Sequence, residues 1–135
     1  MKESANIAYN YIKSNYKKYN IEYKKIEQND IHIHVPEGAT PKEGPSAGIT
    51  LTTALISLLL DKKISNEIAL TGKILPVGGL KEKIIGAYKN NINKIIIPKE
   101  NKNDLDKIPE DIKEKVEFIL VDKYDQVWDY IKEVK

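Results

Sequence analysis

The chain contains neither cysteine nor arginine among its 135 residues. Without cysteine it has no disulfide framework and no thiolate chemistry, which suits a reducing compartment. All 22 basic residues are lysine, and lysine lacks the planar fork of donors with which arginine binds guanine or phosphate. A nucleic-acid-binding domain is therefore the last of the functions that we consider, and no nucleic-acid partner is expected.

Long apolar runs are absent too. The stretch Ala54 to Leu60, apolar except for Ser57, is far shorter than the roughly 20 residues that a membrane helix needs, and it suits a core helix instead. Residues 1–20 hold no apolar run of the signal-peptide type. We therefore expect no membrane partner and a cytoplasmic location, or an organellar matrix if the source is a eukaryote.

A P-loop is also missing, because the chain has no Gly-x-x-x-x-Gly-Lys-Ser/Thr and so nothing that binds ATP in that way. What the chain does have is 41% hydrophobic residues and a net charge of only +2. That composition is sufficient to bury a core. The length suits one domain, residues 1–135.

Hydrophobic periodicity and turn residues divide the chain into alternating helices and strands. The predicted helices are residues 2–19, Ser46 to about Leu60, Leu80–Lys89, Asn101–Lys107 and Tyr124–Ile131. The predicted strands are Ile31–Val35, Glu67–Leu70, Ile74–Val77, Lys94–Ile97 and Val116–Val121, with a loop over Pro36–Pro45. This alternation predicts an α/β (or α+β) fold, a single domain in which helices pack on a mixed sheet.

The helix that begins near Ser46 is polar along one narrow stripe, formed by Ser46, Thr50, Thr53 and Ser57, and nearly everything else on it is apolar. A helix that is apolar almost all round is a buried one. Its first residue is then expected at the inner end of a cleft, beside free backbone N–H groups that suit an oxyanion. Taken alone, however, the sequence Pro-Ser-Ala-Gly favours the common role of an N-cap for this serine.

Two lysines follow the Gly78-Gly79 turn and are candidates for a base that activates a serine. A lysine amine can take the proton of a serine if burial favours its neutral form. Helical projection allows Lys81 to be a snorkelling lysine on the core side, and it places Lys83 on a face with room for a neighbouring segment. The periodicity does not decide between them.

Other polar residues carry weaker signals. His32 and His34 share one face of a predicted strand, but no third ligand follows at metal-site spacing, so we expect two histidines on the polar side of an edge strand and no metal. Thr71 and Gly72 follow a strand-like run, where a threonine is most simply a turn residue.

Two segments, Pro41 to Gly48 (Pro-Lys-Glu-Gly-Pro-Ser-Ala-Gly) and Gly78 to Lys83 (Gly-Gly-Leu-Lys-Glu-Lys), resemble the signature of the Lon protease family. The resemblance implies that Ser46 is the nucleophile of a Ser–Lys dyad. It implies that Lys83, the second lysine of its motif, is the base. It also implies that Thr71 hydrogen-bonds this lysine and orients it.

The resemblance assigns supporting roles to residues around the dyad. Independently of the resemblance, the residue types of Gly44 and Pro45, just before the serine, suit a fixed, side-chain-free approach for a substrate backbone. Glu43 stands where many family members carry aspartate, and it keeps the negative charge. His34 belongs to a histidine pair that lies near the active site in the family but outside the dyad. No cofactor or metal is implied for this domain.

The same resemblance implies a function for the whole chain. It extends over Met1–Ala5, His32–Gly48, Glu67–Gly72, Leu75–Lys83 and Ile95–Asn101. Residues 1–135 are expected to be a partial Lon-type proteolytic domain, a serine endopeptidase that hydrolyses unfolded or damaged proteins and peptides. The family forms homo-oligomers, hexameric rings, and binds ATP and Mg in an AAA+ ATPase module that this sequence lacks.

The sequence departs from the family pattern in two places. The β-structure that normally precedes the first helix is absent, and about six residues of a hairpin are missing between Gly72 and Leu75, where Lys73 and Ile74 form the link. Loss of this hairpin is expected to shift Lys83 or shorten the substrate groove, and a displacement of about 1 Å can lower a rate about a hundredfold. The alternative function is thus a catalytically weakened, Lon-derived structural or assembly module.

Overall fold

The computed structural model describes residues 2–34, 47–70 and 79–133 of the chain. Backbone contacts divide the chain into two units, residues 1–63 and residues 64–135. The described part of the first unit is helical, whereas the second unit combines helices with a parallel sheet. The expected α/β class is therefore confirmed, while the assignment of residues 1–135 to one domain stays a prediction.

Three helices make up the described part of the first unit: α1 (Lys2–Asn15), α2 (Tyr23–Glu27) and α3 (Gly48–Leu60). Helix α1 packs against α3. The buried face of α1 consists of Ser4, Ala8 and Ile12, which recur every four residues as a helical core stripe requires. The short helix α2 is tied to α3 by Lys25, whose Nζ donates to the carbonyl oxygen of Leu59 at 3.1 Å.

Helix α3 is buried on one face only, which corrects the expectation that it is buried nearly all round. Leu58 is 64% exposed, and Thr50 and Ala54 are exposed on the same side. Thr52 and Thr53, in contrast, are buried. The hydroxyl of Thr52 donates to the carbonyl oxygen of Gly48 at 2.8 Å, and such a bond lets a threonine enter a core without an unpaired donor.

The predicted strand at Ile31–Val35 is not present in the part that the structure describes. Residues 31–34 have no strand pairing, and Val35 lies outside the described residues. Apolar–polar alternation is a local signal, and a strand also needs a partner that supplies the ladder hydrogen bonds. The loop Pro36–Pro45 and the predicted strand Ile74–Val77 fall wholly outside the described residues.

The described part of the second unit, residues 64–70 and 79–133, contains a three-stranded parallel sheet in the order β1 (Ile68–Leu70), β2 (Lys94–Pro98), β3 (Glu117–Val121). In the register of the sheet, Leu70 pairs with Ile96 and Pro98 pairs with Val121. The remaining elements of this unit are helix α4 (Leu80–Lys89), a 3-10 helix (Lys99–Lys107), α5 (Glu110–Lys113) and α6 (Tyr124–Glu133). Parallel strands need such crossovers, and they bring their carboxyl ends to one edge of the sheet.

The core of the second unit forms between α4 and the central strand β2. Leu80 and Ile84 of α4 pack in one buried cluster with Ile95 and Ile97 of β2. The intervening Ile96 is buried as well, so the strand is covered on both faces, as a central parallel strand must be. The predicted bounds of α4, Leu80 to Lys89, agree with the structure.

Gly79 brings the chain into α4 through a left-handed backbone conformation, with φ of 64°. This left-handed region is sterically unfavourable for residues with a Cβ, and it is not for glycine. The carbonyl oxygen of Gly79 accepts a hydrogen bond from the backbone N–H of Lys83 at 3.2 Å. The hydrogen bonding of α4 therefore starts at the residue that makes the turn. This glycine therefore sets where α4 begins.

We expect Gly79→Ala to lower the free energy of unfolding by about 1 kcal/mol, because alanine is strained at positive φ. The matched control is Gly86→Ala in the middle of α4, where a new Cβ meets no atom within 4 Å. Removing a helical glycine should raise the stability there by about 0.5–1 kcal/mol. Urea unfolding of both variants measures the difference, and equal effects of one sign would contradict this account of Gly79.

Candidate active site

The structure describes two of the residues that the sequence assigned to the site, Lys83 in α4 and His34. Ser46 and Thr71 lie outside the described residues. So do the three supporting residues Glu43, Gly44 and Pro45. Helix α3 begins at Gly48, the last residue of the first motif, and helix α4 begins at Leu80, within the second motif.

The start of α3 follows directly on the candidate nucleophile. The helix begins at Gly48, and its N-cap position is occupied by Ala47, which has no side chain able to cap. The N-cap position of α3 is thus held by the residue after Ser46. A side-chain oxygen normally accepts one of the first N–H groups of a helix, and among the described residues none does so at this N-cap.

Helix α4 presents its two lysines differently. Lys81 is exposed, whereas Lys83 is half-buried. Lys81, which the helical projection allowed as a snorkelling lysine on the core side, is the more exposed of the two. The face that enters the core is the one with Leu80 and Ile84, and Lys83 lies next to the latter along the chain at the edge of that face.

A third polar group lies on the 3-10 helix that follows β2. Asn101 is only 2% exposed, and its Nδ2 donates to Oδ2 of Asp104 at 2.7 Å. The other carboxylate oxygen, Oδ1, accepts from Nζ of Lys107 at 2.8 Å. The sequence resemblance included Asn101 but assigned it no role, because nothing in a local pattern shows that an asparagine is buried.

The two histidines do not form part of a metal site in the described ranges. His32 and His34 are exposed and lie in a segment without strand pairing, which corrects their expected place on an edge strand. Among residues 2–34, 47–70 and 79–133, no group of three His, Cys, Asp or Glu side chains is arranged to hold a metal ion. None of the helices within these ranges combines the length and apolarity needed to cross a bilayer.

The chain matches the family model of the Lon protease (S16) C-terminal proteolytic domain over residues 1–133. The chain belongs to this family. It is 48% identical to Lon protease 2 of Borreliella burgdorferi, over 97% of this chain and 17% of that protein. It is 49% identical to the Lon protease of Clostridium acetobutylicum, over 94% of this chain and 17% of that protein.

A third relative, the Lon protease of Mesomycoplasma hyopneumoniae, is 52% identical over 97% of this chain and 16% of its own length. The chain thus spans about a sixth of the length of the curated relatives that it matches. Each match covers nearly all of this chain but a small part of a longer protein. The shared sequence therefore characterises the proteolytic domain rather than the rest of those proteins.

The matches also contain aligned positions without a residue in this chain. The match to the Borreliella protein spans 137 aligned positions, but 97% of 135 residues is only about 131, which leaves about six positions without a residue here. The match to the Clostridium protein spans 133 positions for about 127 residues of this chain, again a difference of about six. This is the length of the hairpin expected to be missing between Gly72 and Leu75.

The Asp104 contacts make one prediction about acid stability. The hydrogen bond from Lys107, and then that from Asn101, hold the pKa of Asp104 below its ordinary value, and the same contact raises the pKa of Lys107. A carboxyl group with a lowered pKa in the folded state stabilises the protein above its unfolded pKa. That stabilisation is lost as the pH falls through the folded pKa.

We therefore expect Asp104→Asn to be less stable than wild type near neutral pH and to lose less further stability between about pH 5 and pH 3. The matched control is Asp106→Asn, an exposed aspartate on the same helix. Urea midpoints measured across this pH range test the expectation. If the two variants follow the same pH dependence, the contacts of Asp104 contribute nothing to acid stability.

Proposed function

We propose that this chain is the peptidase domain of an ATP-dependent protease of the Lon type, in which Ser46 and Lys83 form a catalytic dyad. The observation that supports this most strongly is the match to the S16 proteolytic domain over residues 1–133. The signature segments Pro41–Gly48 and Gly78–Lys83 support it further. So does the burial of α4, which shields Lys83 more than Lys81.

The chemistry proposed for the dyad is acyl transfer. The neutral amine of Lys83 takes the proton of the Ser46 hydroxyl while the serine oxygen attacks the peptide carbonyl carbon. Backbone N–H groups at the start of α3 stabilise the oxyanion. The protonated amine then gives its proton to the departing amine of the substrate. A water molecule, deprotonated by the same lysine, attacks the acyl-enzyme, and the serine oxygen leaves with that proton.

The supporting residues have roles that follow from the family resemblance. Thr71 is proposed to orient the lysine by a hydrogen bond, and Gly44 with Pro45 to set the approach of the substrate backbone. Glu43 contributes a negative charge beside this approach. His34 is proposed to lie near the site without taking part in proton transfer, a role that its exposure permits.

The proposed substrates are unfolded or damaged proteins and the peptides released from them. ATP and Mg would act in a separate ATPase module, which delivers the substrate to this domain. We further propose assembly into a homo-oligomeric ring and a cytoplasmic location, with neither nucleic acid nor membrane as a partner. The small share of the Lon relatives that this chain matches is consistent with a domain that works within a larger protein.

The dyad assignment predicts that Lys83→Ala abolishes cleavage of an unfolded protein or a fluorogenic peptide, as Ser46→Ala does. Lys81→Ala is the matched control, because Lys81 lies two residues away on the same helix and is exposed, and it should keep most of the activity. Removing a member of a nucleophile–base pair is expected to lower kcat by a factor on the order of a thousand or more. Loss of activity in the Lys81 variant with retention in the Lys83 variant would reverse the assignment.

The alternative proposal is a catalytically weakened module of Lon ancestry. It is favoured by the difference of about six positions between this chain and its relatives. The expected place of that difference, between Gly72 and Leu75, lies next to the threonine proposed to orient the base. A shortened connection there is expected to misplace the lysine amine and so to lower kcat.

This alternative predicts that inserting a hairpin of the relatives' length between Gly72 and Lys73 raises the rate of peptide cleavage. The physical reason is that better placement of the base strengthens an interaction made in the transition state. The measurement is kcat for a peptide, with unfolding curves to confirm that the fold is kept. As a control, an insertion of equal length goes into the exposed turn at Asn90 and Asn91. If both insertions leave kcat unchanged in an active enzyme, the shortened segment is harmless.

A further inference from the structure

The 3-10 helix that follows β2 is unusually long for its type. It covers nine residues, Lys99–Lys107, whereas runs of this kind rarely exceed three or four residues because their hydrogen bonds are poorly aligned. A segment with weak internal bonds depends on side chains to hold it. The structure shows such a support in the three polar residues on one side of this helix, Asn101, Asp104 and Lys107.

Asn101 is the anchor of this group. In the described part of the second unit it is the one polar or charged residue with a fully buried side chain. Burying an amide costs free energy unless its donors and acceptors are satisfied, so a buried asparagine is a specific feature of a fold. Its bond to Asp104 links the third and sixth residues of the 3-10 helix and so holds one turn in the middle of it.

The 3-10 helix in turn contacts the helix that carries the proposed base. It packs against α4, and Leu105 lies against the apolar cluster that contains Leu80 and Ile84. These two residues flank Lys83 along α4, three positions before it and one after. Packed interiors leave little free space, so a shift of Leu105 is transmitted to the helix beside it.

We infer that Asn101 is a positioning residue for Lys83: its buried amide fixes the 3-10 helix, and Leu105 of that helix sets where α4 presents the amine. The inference rests on the proposed function in so far as it makes Lys83 the base. Its structural part, the control of the Lys83 environment by Asn101, can be measured in the full chain without any activity.

The first test compares Asn101→Ala with Asn103→Ala, an exposed asparagine on the same 3-10 helix. The amines of the folded proteins are acetylated briefly with an N-hydroxysuccinimide ester, and mass spectrometry gives the labelling of Lys83 relative to Lys81. We expect Asn101→Ala to change this ratio by about threefold or more, since the half-buried amine moves while the exposed one does not. Asn103→Ala should leave the ratio unchanged.

The second test measures peptide hydrolysis at a temperature at which circular dichroism shows both variants to be folded. We expect Asn101→Ala to lower kcat on the order of tenfold or more with little change in KM. The reason is that a misplaced base reduces the stabilisation of the transition state but leaves substrate binding unchanged. A loss of stability alone would reduce the amount of active enzyme without changing the labelling ratio of the folded fraction.

A rescue experiment distinguishes the effect of losing the hydrogen bond from the effect of losing side-chain volume. It also provides a test if Asn101→Ala does not fold. Asn101→Asp keeps the shape but places a carboxylate against Asp104, so it should show the same defects. The double variant Asn101→Asp/Asp104→Asn restores one donor and one acceptor in the opposite order, and it should recover the labelling ratio and kcat.

The outcomes separate the inference from the function on which it rests. If Ser46→Ala leaves all cleavage unchanged, the proposed function fails, and the labelling ratio alone decides whether Asn101 controls the environment of Lys83. An unchanged ratio in folded Asn101→Ala overturns the inference. So does an equal change in Asn103→Ala, or a rise in KM with kcat intact in an active enzyme.

Discussion

Burial of β2 on both faces is the constraint on which the second unit depends. Ile95 and Ile97 enter the cluster that α4 covers, and Ile96 points to the opposite face of the sheet, where it is also buried. Each such side chain stabilises the fold by about 1.5–3 kcal/mol when fully buried, so three of them are comparable with the whole net stability of a small domain. The position of α4 is therefore decided by packing against this strand.

That packing has a consequence for chemistry. Helix α4 uses Leu80 and Ile84 to cover β2, and this leaves Lys81 in solvent and Lys83 at the boundary of the buried face. The same helix thus serves the core and carries the proposed base. Any residue that adjusts how α4 lies on the sheet, through the left-handed turn at Gly79 or through the 3-10 helix, also adjusts the surroundings of the amine.

Several elements of the second unit could be predicted from the sequence, because the positions of their apolar and turn residues match the faces and ends that the packed structure requires. Gly79 and the apolar spacing of α4 mark the same helix that the structure contains, and the apolar run of β2 suits a strand covered on both faces. In the first unit the local signals failed at two places. Within the part of the chain that the structure describes, the alternating segment 31–34 has no strand pairing, and α2 is too short, at five residues, to show a periodicity.

The amino-acid sequence by itself determined the family and the two motifs that hold Ser46 and Lys83, because these depend on residue identity and spacing alone. Tertiary structure alone decided which lysine of α4 is half-buried, which face of α3 stays exposed, and that Asn101 is enclosed. Burial is a property of neighbours distant in sequence. A helical projection gives the direction of a side chain but not what lies in that direction. The packing of α1 on α3 supplies it in the first unit, and the packing of β2, α4 and the 3-10 helix supplies it in the second.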